Sequence, residues 1–471
     1  MRHDIERVAL TRAAVDALFA DRVDRRITPS TIYAVFTPSG ITFADGYGDS
    51  GSGRAPTLDT AYRIASCTKS FTAATLLIMV ERGLVSLDDP ISRFVQTGPL
   101  IGPDGRPVDP PTLRHLVTMS AGLPTDDPWA DRQESLTGDQ FTAALAPGIR
   151  FTARPGDRYE YSNLGFALLG QVIEKASGRG YIPTVTDELI TPLGLQGIGY
   201  DTGVAAPDGV AAGHRRTDDH WTPLPFSGPG AFSPIGGIFA TPRALARWVG
   251  WLAAAFSTTD DHGQPLGHLS RRLMQTIHTP IEATADARSG YGMGLVVEES
   301  DRHGTIVGHS GGYPGFGAHM RWHAASGIGV LGLENGTYSQ PAGPVTRALR
   351  TILDAVFVPD VEPTVWPETR AARLGVERLL RSWDDQLAEE LFADNVALDD
   401  SLESRRTRWA ELVTEIEPAD EPAALINSSP ISRTPAHLAW TVPGRRGSLR
   451  CEITLTPQNP PRVQTVRISR G

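Results

Sequence analysis

Ser66 and Lys69 stand three positions apart at the start of an apolar stretch, and together they could form a nucleophile and its base. Residues three apart share one face of a helix, so a helix that begins near Ser66 brings the amine close to the hydroxyl. Lysine occurs only at positions 69 and 175, although lysine and arginine together number 44. Arginine stays protonated in proteins, whereas a lysine amine can lose its proton and act as a base. The pair predicts lysine-activated serine chemistry, although a helix-capping serine beside a surface lysine explains these two residues equally well.

A second serine offers a rival nucleophile. The segment Gly308-His309-Ser310-Gly311-Gly312 fits the G-x-S-x-G elbow of α/β-hydrolases, which holds its serine between a strand and a helix. The residues from Tyr313 to Gly317 include one proline and two glycines and lead into another strand, so no helix is expected there. We therefore favour a sheet edge for this segment, where small glycines let a substrate backbone approach closely.

The elements that must position these residues follow from periodicity and turn signals. Residues 5–26 have helical periodicity, 66–280 reads mostly as helices and long loops, and a helix is expected near 342–356. Strands are predicted at 31–36, 40–44, 292–297, 304–308, 317–322 and 328–333. Strands on both sides of a helical insert predict that the first and last segments share one sheet.

A proline-rich segment divides the chain. Residues 358–367 contain three prolines and no helical period, which predicts a linker between a catalytic domain at 1–357 and a small α+β domain at 368–471. The smaller domain is expected to have helices at 370–391 and 403–416, followed by strands at 436–442, 447–456 and 461–469. It would shape the mouth of the cleft or mediate formation of a homodimer, and the sequence leaves both open.

Three short motifs occur in a fixed order. Ser66-Cys67-Thr68-Lys69 matches S-x-x-K, Tyr161-Ser162-Asn163 matches Y-S-N after a Pro-Gly lead-in, and His309-Ser310-Gly311 matches an H-x-G motif. Together they resemble the serine β-lactamase and penicillin-binding protein family, especially its class C β-lactamase, DD-carboxypeptidase, D-aminopeptidase and family VIII esterase branch. The resemblance covers most of residues 25–350. It implies an antiparallel sheet flanked by helices with an all-helical insert. The C-terminal domain lies outside this resemblance: relatives in this branch often append lipocalin-like barrels, whereas residues 383–396 look more like the helical opening of an NTF2-like cone.

The resemblance also implies a role for each motif residue. Ser66 would attack a carbonyl, Lys69 would accept or relay its proton, and Tyr161 would serve the leaving group as general acid and base. The backbone N–H groups of Ser66 and Gly312 would form the oxyanion hole. The expected substrate contacts are Asn163, His309, Ser310 and Gly311. His309 would face the cleft where many relatives carry a lysine, and it carries charge only when protonated, so efficient β-lactamase activity is not expected.

Composition excludes several classes of function. The net charge of −10 and the pI near 5.7 offer no basic surface for nucleic acid or acidic lipid. The N-terminus is charged every few residues, unlike a secretory signal, and no segment approaches membrane-spanning length, so we expect a cytoplasmic protein. Only two cysteines are present, which excludes a disulfide framework. We expect no metal and no cofactor.

The leading hypothesis is a serine hydrolase that acts on esters or amides of D-amino acids or short peptides through an acyl-enzyme on Ser66. One alternative with the same chemistry is a penicillin-binding-protein-type thioesterase that cyclises nonribosomal peptides by releasing the acyl group to an amine. Another alternative is a protein that binds a peptide or β-lactam in its cleft without turnover.

Overall fold

The computed structural model describes residues 2–284, 287–357, 365–417, 432 and 434–470. The chain divides into two compact units, Met1–Val356 and Phe357–Gly471. Most of the predicted linker lies outside the described residues, and a helix begins at its last residue, Pro367.

An eight-stranded antiparallel sheet forms the centre of the first unit. Its strands in chain order are β1 (Ser30–Thr37), β2 (Gly40–Gly48), β3 (Thr279–Ala283), β4 (Ala287–Tyr291), β5 (Val296–Ser300), β6 (Gly304–Tyr313), β7 (Phe316–His323) and β8 (Gly329–Glu334). Their order across the sheet is β3-β4-β5-β6-β7-β8-β1-β2. Ile32 of β1 pairs with Leu333 of β8, which confirms that the first and last segments share one sheet.

Helices cover both faces of this sheet. Every residue of β1 is buried, and Ile32 and Phe36 face the main core while Tyr33 and Val35 face a second apolar layer. Such a continuous apolar run is typical of a strand that is covered on both faces. The helices of the second layer are Arg2–Leu10, Arg12–Asp24 and Ala342–Val356.

The insert between β2 and β3 is mainly helical, as expected. Its α-helices are Lys69–Glu81, Leu113–Val117, Asp127–Ala130, Gly138–Leu145, Asn163–Ser177, Tyr181–Val185, Ser233–Gly236, Pro242–Ala253 and His268–Met274. Short 3₁₀-helices lie at Ala65–Thr68, Ile91–Arg93 and Ala254–Phe256, and a π-helix lies at Thr186–Ile190. Short strands lie at Tyr62–Arg63, Leu100–Ile101, Ile149–Arg150, Ile198–Gly199, His214–Thr217, His220–Pro223 and Phe239–Ala240.

One predicted strand begins in the wrong place. Of the predicted residues 292–297, only the last two belong to a strand, because β5 begins at Val296 after a bend at 293–295. Gly294 has φ +70°, and a Cβ there would lie 2.5 Å from the carbonyl oxygen of Lys69. Glycine is therefore needed both for the backbone conformation and for the close approach to the Lys69 helix.

The second unit is α+β, as predicted. Its helices are Pro367–Arg381, Asp385–Leu391, Asp394–Asp399 and Leu402–Ile416, so the helix predicted over 370–391 is two helices. The strands His437–Gly444, Gly447–Leu455 and Val463–Arg470 pair in that order as an antiparallel sheet. Trp409, Trp440 and Ile453 belong to its own buried core. Within the described part of this unit the strands form an open sheet and no lipocalin-like barrel.

Candidate active site

Ser66 lies where a tight turn enters a buried helix. The turn Ala65–Thr68 runs directly into Lys69–Glu81, in which every residue from Lys69 to Met79 is buried. Ala65 has φ +46°, a left-handed conformation that costs a residue with a Cβ about 1–3 kcal/mol. Ser66 stands in the first turn, so its backbone N–H has no acceptor within the helix. This N–H is available to an oxyanion.

Lys69 is fully buried, and three acceptors surround its amine. Nζ lies 3.0 Å from Ser66 Oγ, 2.6 Å from Asn163 Oδ1 and 3.0 Å from the carbonyl oxygen of Ile235. An ammonium group has three N–H bonds and satisfies all three acceptors. A neutral amine has two, which Asn163 and Ile235 can take, and its lone pair then points at Ser66. The geometry therefore fits a base that takes the Ser66 proton.

Burial lowers the pKa of Lys69 to about 8, because the charged form loses its hydration. Three carboxylates oppose this decrease by attracting the ammonium, in decreasing order Asp127, Asp131 and Asp126. The neutral amine is therefore about a tenth of the population at pH 7 and the larger part above about pH 8. A pKa close to the working pH is what suits a general base best.

Tyr161 stands beside the amine, with its ring centroid 5.1 Å from Lys69 Nζ. Burial raises the pKa of Tyr161 well above its ordinary value, and the charge of Asp127 adds to the rise, while a hydrogen bond with Ser66 opposes it. The phenol therefore keeps its proton and can donate it. Ser66, Lys69 and Tyr161 are brought together as the sequence predicts.

Asn163, an expected substrate contact, makes its side-chain hydrogen bonds to two protein groups. It is fully buried at the start of the helix Asn163–Ser177, which Ser162 caps by accepting from the backbone N–H of Gly165. Its Oδ1 accepts from Lys69, and its Nδ2 donates to Asp127 Oδ1 over 2.6 Å. Both ends of the amide thus bind protein groups, and this residue holds the base.

His309 is only 3% exposed, and its ring centroid lies 6.3 Å from that of Tyr161. Its Nδ1 lies 2.6 Å from the carbonyl oxygen of Ser310, and its Nε2 lies 3.0 Å from the hydroxyl of Tyr291. A carbonyl can only accept, so Nδ1 carries the proton and Nε2 accepts from Tyr291. Burial and the nearby Lys69 lower the pKa of His309 to about 3. The ring is therefore neutral, and its two hydrogen bonds hold it against β6 and against Tyr291 of β4.

The second half of β6 has one side open. Residues 304–308 pair with β5 and 306–313 pair with β7, so among the described residues 309–313 have a strand partner on one side only. Ser310 is exposed, and its Oγ lies 2.8 Å from His319 Nδ1. A turn and β7 follow it, so the hydrolase-elbow alternative is wrong for Ser310.

Gly311 and Gly312 lie close to other backbone and side-chain groups. A Cβ at Gly311 would lie 2.3 Å from the carbonyl oxygen of Ile64 and 3.1 Å from the backbone nitrogen of Ser66. A Cβ at Gly312 would lie 2.8 Å from the ring of Tyr338. The strand backbone therefore runs directly past the Ser66 amide, as a two-donor oxyanion hole requires.

Three aspartates beside the site were not predicted. Asp126 accepts from the backbone N–H groups of Asn163 and Leu164 at 2.7 and 2.8 Å, and Asp131 accepts from the Tyr338 hydroxyl at 2.8 Å. Burial raises the pKa of Asp131 to about 6. The sequence signal was three acidic residues within six positions, after a proline-containing turn.

A buried ion pair involves Glu134, which follows Asp131 by three positions. Arg63 Nη2 lies 3.0 Å from Glu134 Oε2, and their side chains are 2% and 1% exposed. Arg63 also donates to the carbonyl oxygen of Gly236 at 3.0 Å and lies 3.9 Å from the ring centroid of Tyr313. The pair therefore joins the insert to the end of β6.

Two further features concern ligands and membranes. Within the described ranges no three His, Cys, Asp or Glu side chains are grouped so that they could hold a metal ion. His319 contacts Ser310, and His323 contacts Ser326 at 2.8 Å.

None of the helices in the described part of the chain has the length and apolar character needed to cross a membrane.

Comparison with known proteins gives the family. The family model described as Beta-lactamase matches residues 15–355. The D-alanyl-D-alanine-carboxypeptidase/endopeptidase AmpH of Escherichia coli strain K12 is 28% identical over 296 residues, 60% of this chain and 74% of that protein. Esterase EstB of Burkholderia gladioli is 28% identical over 386 residues, 73% of this chain and 95% of that protein.

A solved structure extends the likeness beyond the catalytic unit. The octameric penicillin-binding protein homologue from Pyrococcus abyssi has a TM-score of 0.61 and 21% identity, and the match covers 94% of this chain and 96% of that one. At this identity the likeness concerns the fold alone. Because the family model spans most of the first unit, the chain belongs to the beta-lactamase family, a family of serine hydrolases.

Proposed function

We propose that this protein hydrolyses esters or amides of D-amino acids or short peptides through an acyl-enzyme on Ser66. The observation that carries this proposal is the setting of Lys69. Its amine lies 3.0 Å from Ser66 Oγ, and its two other acceptors match the two N–H bonds of a neutral amine. This is the contact that a serine nucleophile and its base need.

The reaction follows from these contacts. Ser66 Oγ attacks the substrate carbonyl carbon while its proton passes to Lys69, and the carbonyl oxygen takes the charge between the N–H groups of Ser66 and Gly312. Tyr161 gives its proton to the leaving alcohol or amine, the C–O or C–N bond breaks, and the proton on Lys69 can reprotonate the phenolate. Water then attacks the acyl-enzyme with the same groups acting in reverse.

The polar groups around the site support the choice of substrate. His309 is buried and neutral, so it supplies no cation for the carboxylate of a β-lactam, whereas the nearby side chains Asp126, Asp127 and Asp131 are acidic. The relatives named above include an esterase and a D-alanyl-D-alanine carboxypeptidase. We therefore expect activity on neutral or amine-bearing acyl groups and little β-lactamase activity.

The direct test is to find the serine that reacts. The protein is treated with a fluorophosphonate and with a fluorescent penicillin, then digested, and the modified peptide is located by mass spectrometry. We expect the fluorophosphonate adduct on Ser66 in the wild type and in Ser310→Ala, and none in Ser66→Ala. Both serines lie at the site, so Ser310→Ala is a matched control. Adduct on Ser310 alone would contradict the proposal.

Turnover assays distinguish the hydrolase from the two alternatives, a binding protein and a peptide-cyclising thioesterase. An activated D-amino acid ester should be hydrolysed by the wild type and not by Ser66→Ala, and no turnover of any activated ester would favour a binding protein. With a peptidyl thioester, the linear acid alone supports hydrolysis, and a cyclic product would instead show transfer to an amine.

A further inference from the structure

The amide of Asn163 joins the amine of Lys69 to the carboxylate of Asp127. Lys69 Nζ lies 2.6 Å from Asn163 Oδ1, and Asn163 Nδ2 lies 2.6 Å from Asp127 Oδ1. Asn163 is fully buried and Asp127 is partly exposed at the first position of the helix Asp127–Ala130. Among the described residues, Asn163 is the one side chain that donates to the Asp127 carboxylate.

An amide side chain has two ends of nearly equal shape, so neighbours must select its orientation. If the Asn163 amide were turned over, its NH2 would face the Lys69 amine and its oxygen would face the Asp127 carboxylate. Two acceptors would then meet at the Asp127 end, and two donors would meet at the other end whenever Lys69 is protonated. An ionised carboxylate can only accept, so Asp127 holds the Asn163 oxygen toward Lys69.

That orientation matters for the direction of the Lys69 lone pair. The neutral amine has two N–H bonds, and they reach Asn163 Oδ1 and the Ile235 carbonyl oxygen, which leaves the lone pair for Ser66. If the Asn163 amide turned over, its NH2 would compete with Ser66 as a donor to that lone pair. The base would then lose its alignment with the nucleophile.

The negative charge of Asp127 acts together with its hydrogen bond to Asn163. The charged and titratable groups that face Lys69 are Asp126, Asp127, Asp131, Glu134, Cys67, His309 and Tyr161. Asp127 makes the largest favourable contribution to the ammonium form of Lys69. When Ser66 gives up its proton, Lys69 becomes positive, so a fixed negative charge linked through Asn163 stabilises the product of that transfer.

We propose that Asp127 is a positioning residue, which aims the Lys69 amine at Ser66 through the Asn163 amide and stabilises the amine once it has taken the proton. This inference rests on the proposed function and adds a residue to its machinery. The neighbouring aspartates have other contacts. Asp126 binds two backbone N–H groups at a helix start, and Asp131 binds Tyr338.

Three variants separate the contact from the charge. Asp127→Asn removes the charge and keeps an oxygen that can accept from Asn163. Asp127→Ala removes both. Asp131→Asn is the matched control, because it removes a carboxylate that also favours the Lys69 ammonium but has no contact with Asn163.

The first readout is the titration of Lys69 itself, by NMR of protein labelled with ¹³C-lysine. The chain has only two lysines, so two signals are expected, and the exposed Lys175 is an internal reference. Asp127→Asn and Asp127→Ala should lower the pKa of Lys69 by about one unit, because an attractive charge is lost. Lys175 should titrate unchanged, and a variant that is merely less stable would not shift Lys69.

The second readout is the rate of Ser66 acylation as a function of pH. Asp127→Asn should move the acid limb to lower pH and lower the plateau by a few-fold, because a charge that stabilises the protonated Lys69 is lost. Asp131→Asn should have the same two effects. Asp127→Ala should also lose about 100-fold on the plateau, since a misaligned base costs about that much. If Asp127→Ala does not fold, Asp127→Asn still decides the titration.

An unchanged Lys69 titration in Asp127→Asn would overturn the inference. So would a wild-type plateau in Asp127→Ala, or equal plateaus in Asp127→Ala and Asp131→Asn. Failure of the proposed function is distinguishable, because it shows as a wild type that is not labelled on Ser66. The lysine titration requires no turnover.

Discussion

Adding a single methyl group at Gly311 should push the end of β6 away from the turn that carries Ser66. In Gly311→Ala the new Cβ would lie 2.3 Å from the Ile64 carbonyl oxygen and 3.1 Å from the Ser66 nitrogen. Both contacts are with backbone, so no flexible side chain can turn aside. The end of β6 must therefore move away from the turn that carries Ser66.

The size of the movement follows from ordinary contact distances. A carbon and a carbonyl oxygen rarely approach closer than about 3.3 Å, so the strand must shift by about 1 Å. A misplacement of about 1 Å at a reacting group costs about 100-fold in rate. Overpacking of this kind also lowers the free energy of unfolding by about 1–3 kcal/mol. We therefore expect a folded, less stable protein that acylates about 100 times more slowly.

The assay is the single-turnover rate of Ser66 acylation by an activated ester, with urea unfolding measured in parallel. Gly250→Ala is the matched control, because Gly250 lies in the helix Pro242–Ala253 and a Cβ there meets nothing within 4 Å. It should acylate like the wild type and gain about 0.5–1 kcal/mol of stability. A Gly311→Ala protein that acylates at the rate of Gly250→Ala would refute the close approach of β6 to Ser66.

Two further predictions concern charge. Acylation needs the neutral form of Lys69, whose pKa is about 8, so the rate should fall about tenfold per pH unit below that value and level off above it. A rate that stays flat from about pH 6 to 9 in stopped-flow measurements would contradict this role. Glu134→Ala leaves the buried Arg63 without its partner and should lower the free energy of unfolding by about 3–5 kcal/mol in urea. Glu299→Ala breaks a more exposed pair and should cost less than about 1 kcal/mol, and equal losses would argue against the burial of Arg63.

The parts of the fold and site that the sequence predicts are those that local patterns determine. Ser66 and Lys69 come together because three residues make about one helical turn, and β1 is readable because its run of apolar residues has no break. The order of the motifs indicates the beta-lactamase family, and the family model confirms it. Residues 292–295 match a strand pattern because apolar residues alternate with glycine there, but they lie before β5 and form no strand.

The parts that the sequence does not predict depend on partners that are distant in the chain. Asp127 and Asn163 are 36 positions apart, and His309 and Tyr291 are 18 apart, so neither contact has a local signal. Strand alternation gives the face of His309, and it cannot tell whether that face holds a substrate or a tyrosine. The left-handed conformation of Ala65 is equally hidden, since alanine rarely adopts it.

The pairing of β1 with β8 has a consequence during synthesis on the ribosome. Ile32 can pair with Leu333 only after about 300 further residues have been made. At a translation rate of about 5–20 residues per second this takes about 15 to 60 seconds. Until then a strand that is buried along its whole length in the finished protein has only β2 beside it. We expect the nascent chain to need a chaperone during this interval, because an unpaired apolar strand is prone to aggregate. The strands that bring Gly311 to Ser66 are made last, so the nascent protein should gain its reactive serine only near the end of synthesis of the first unit.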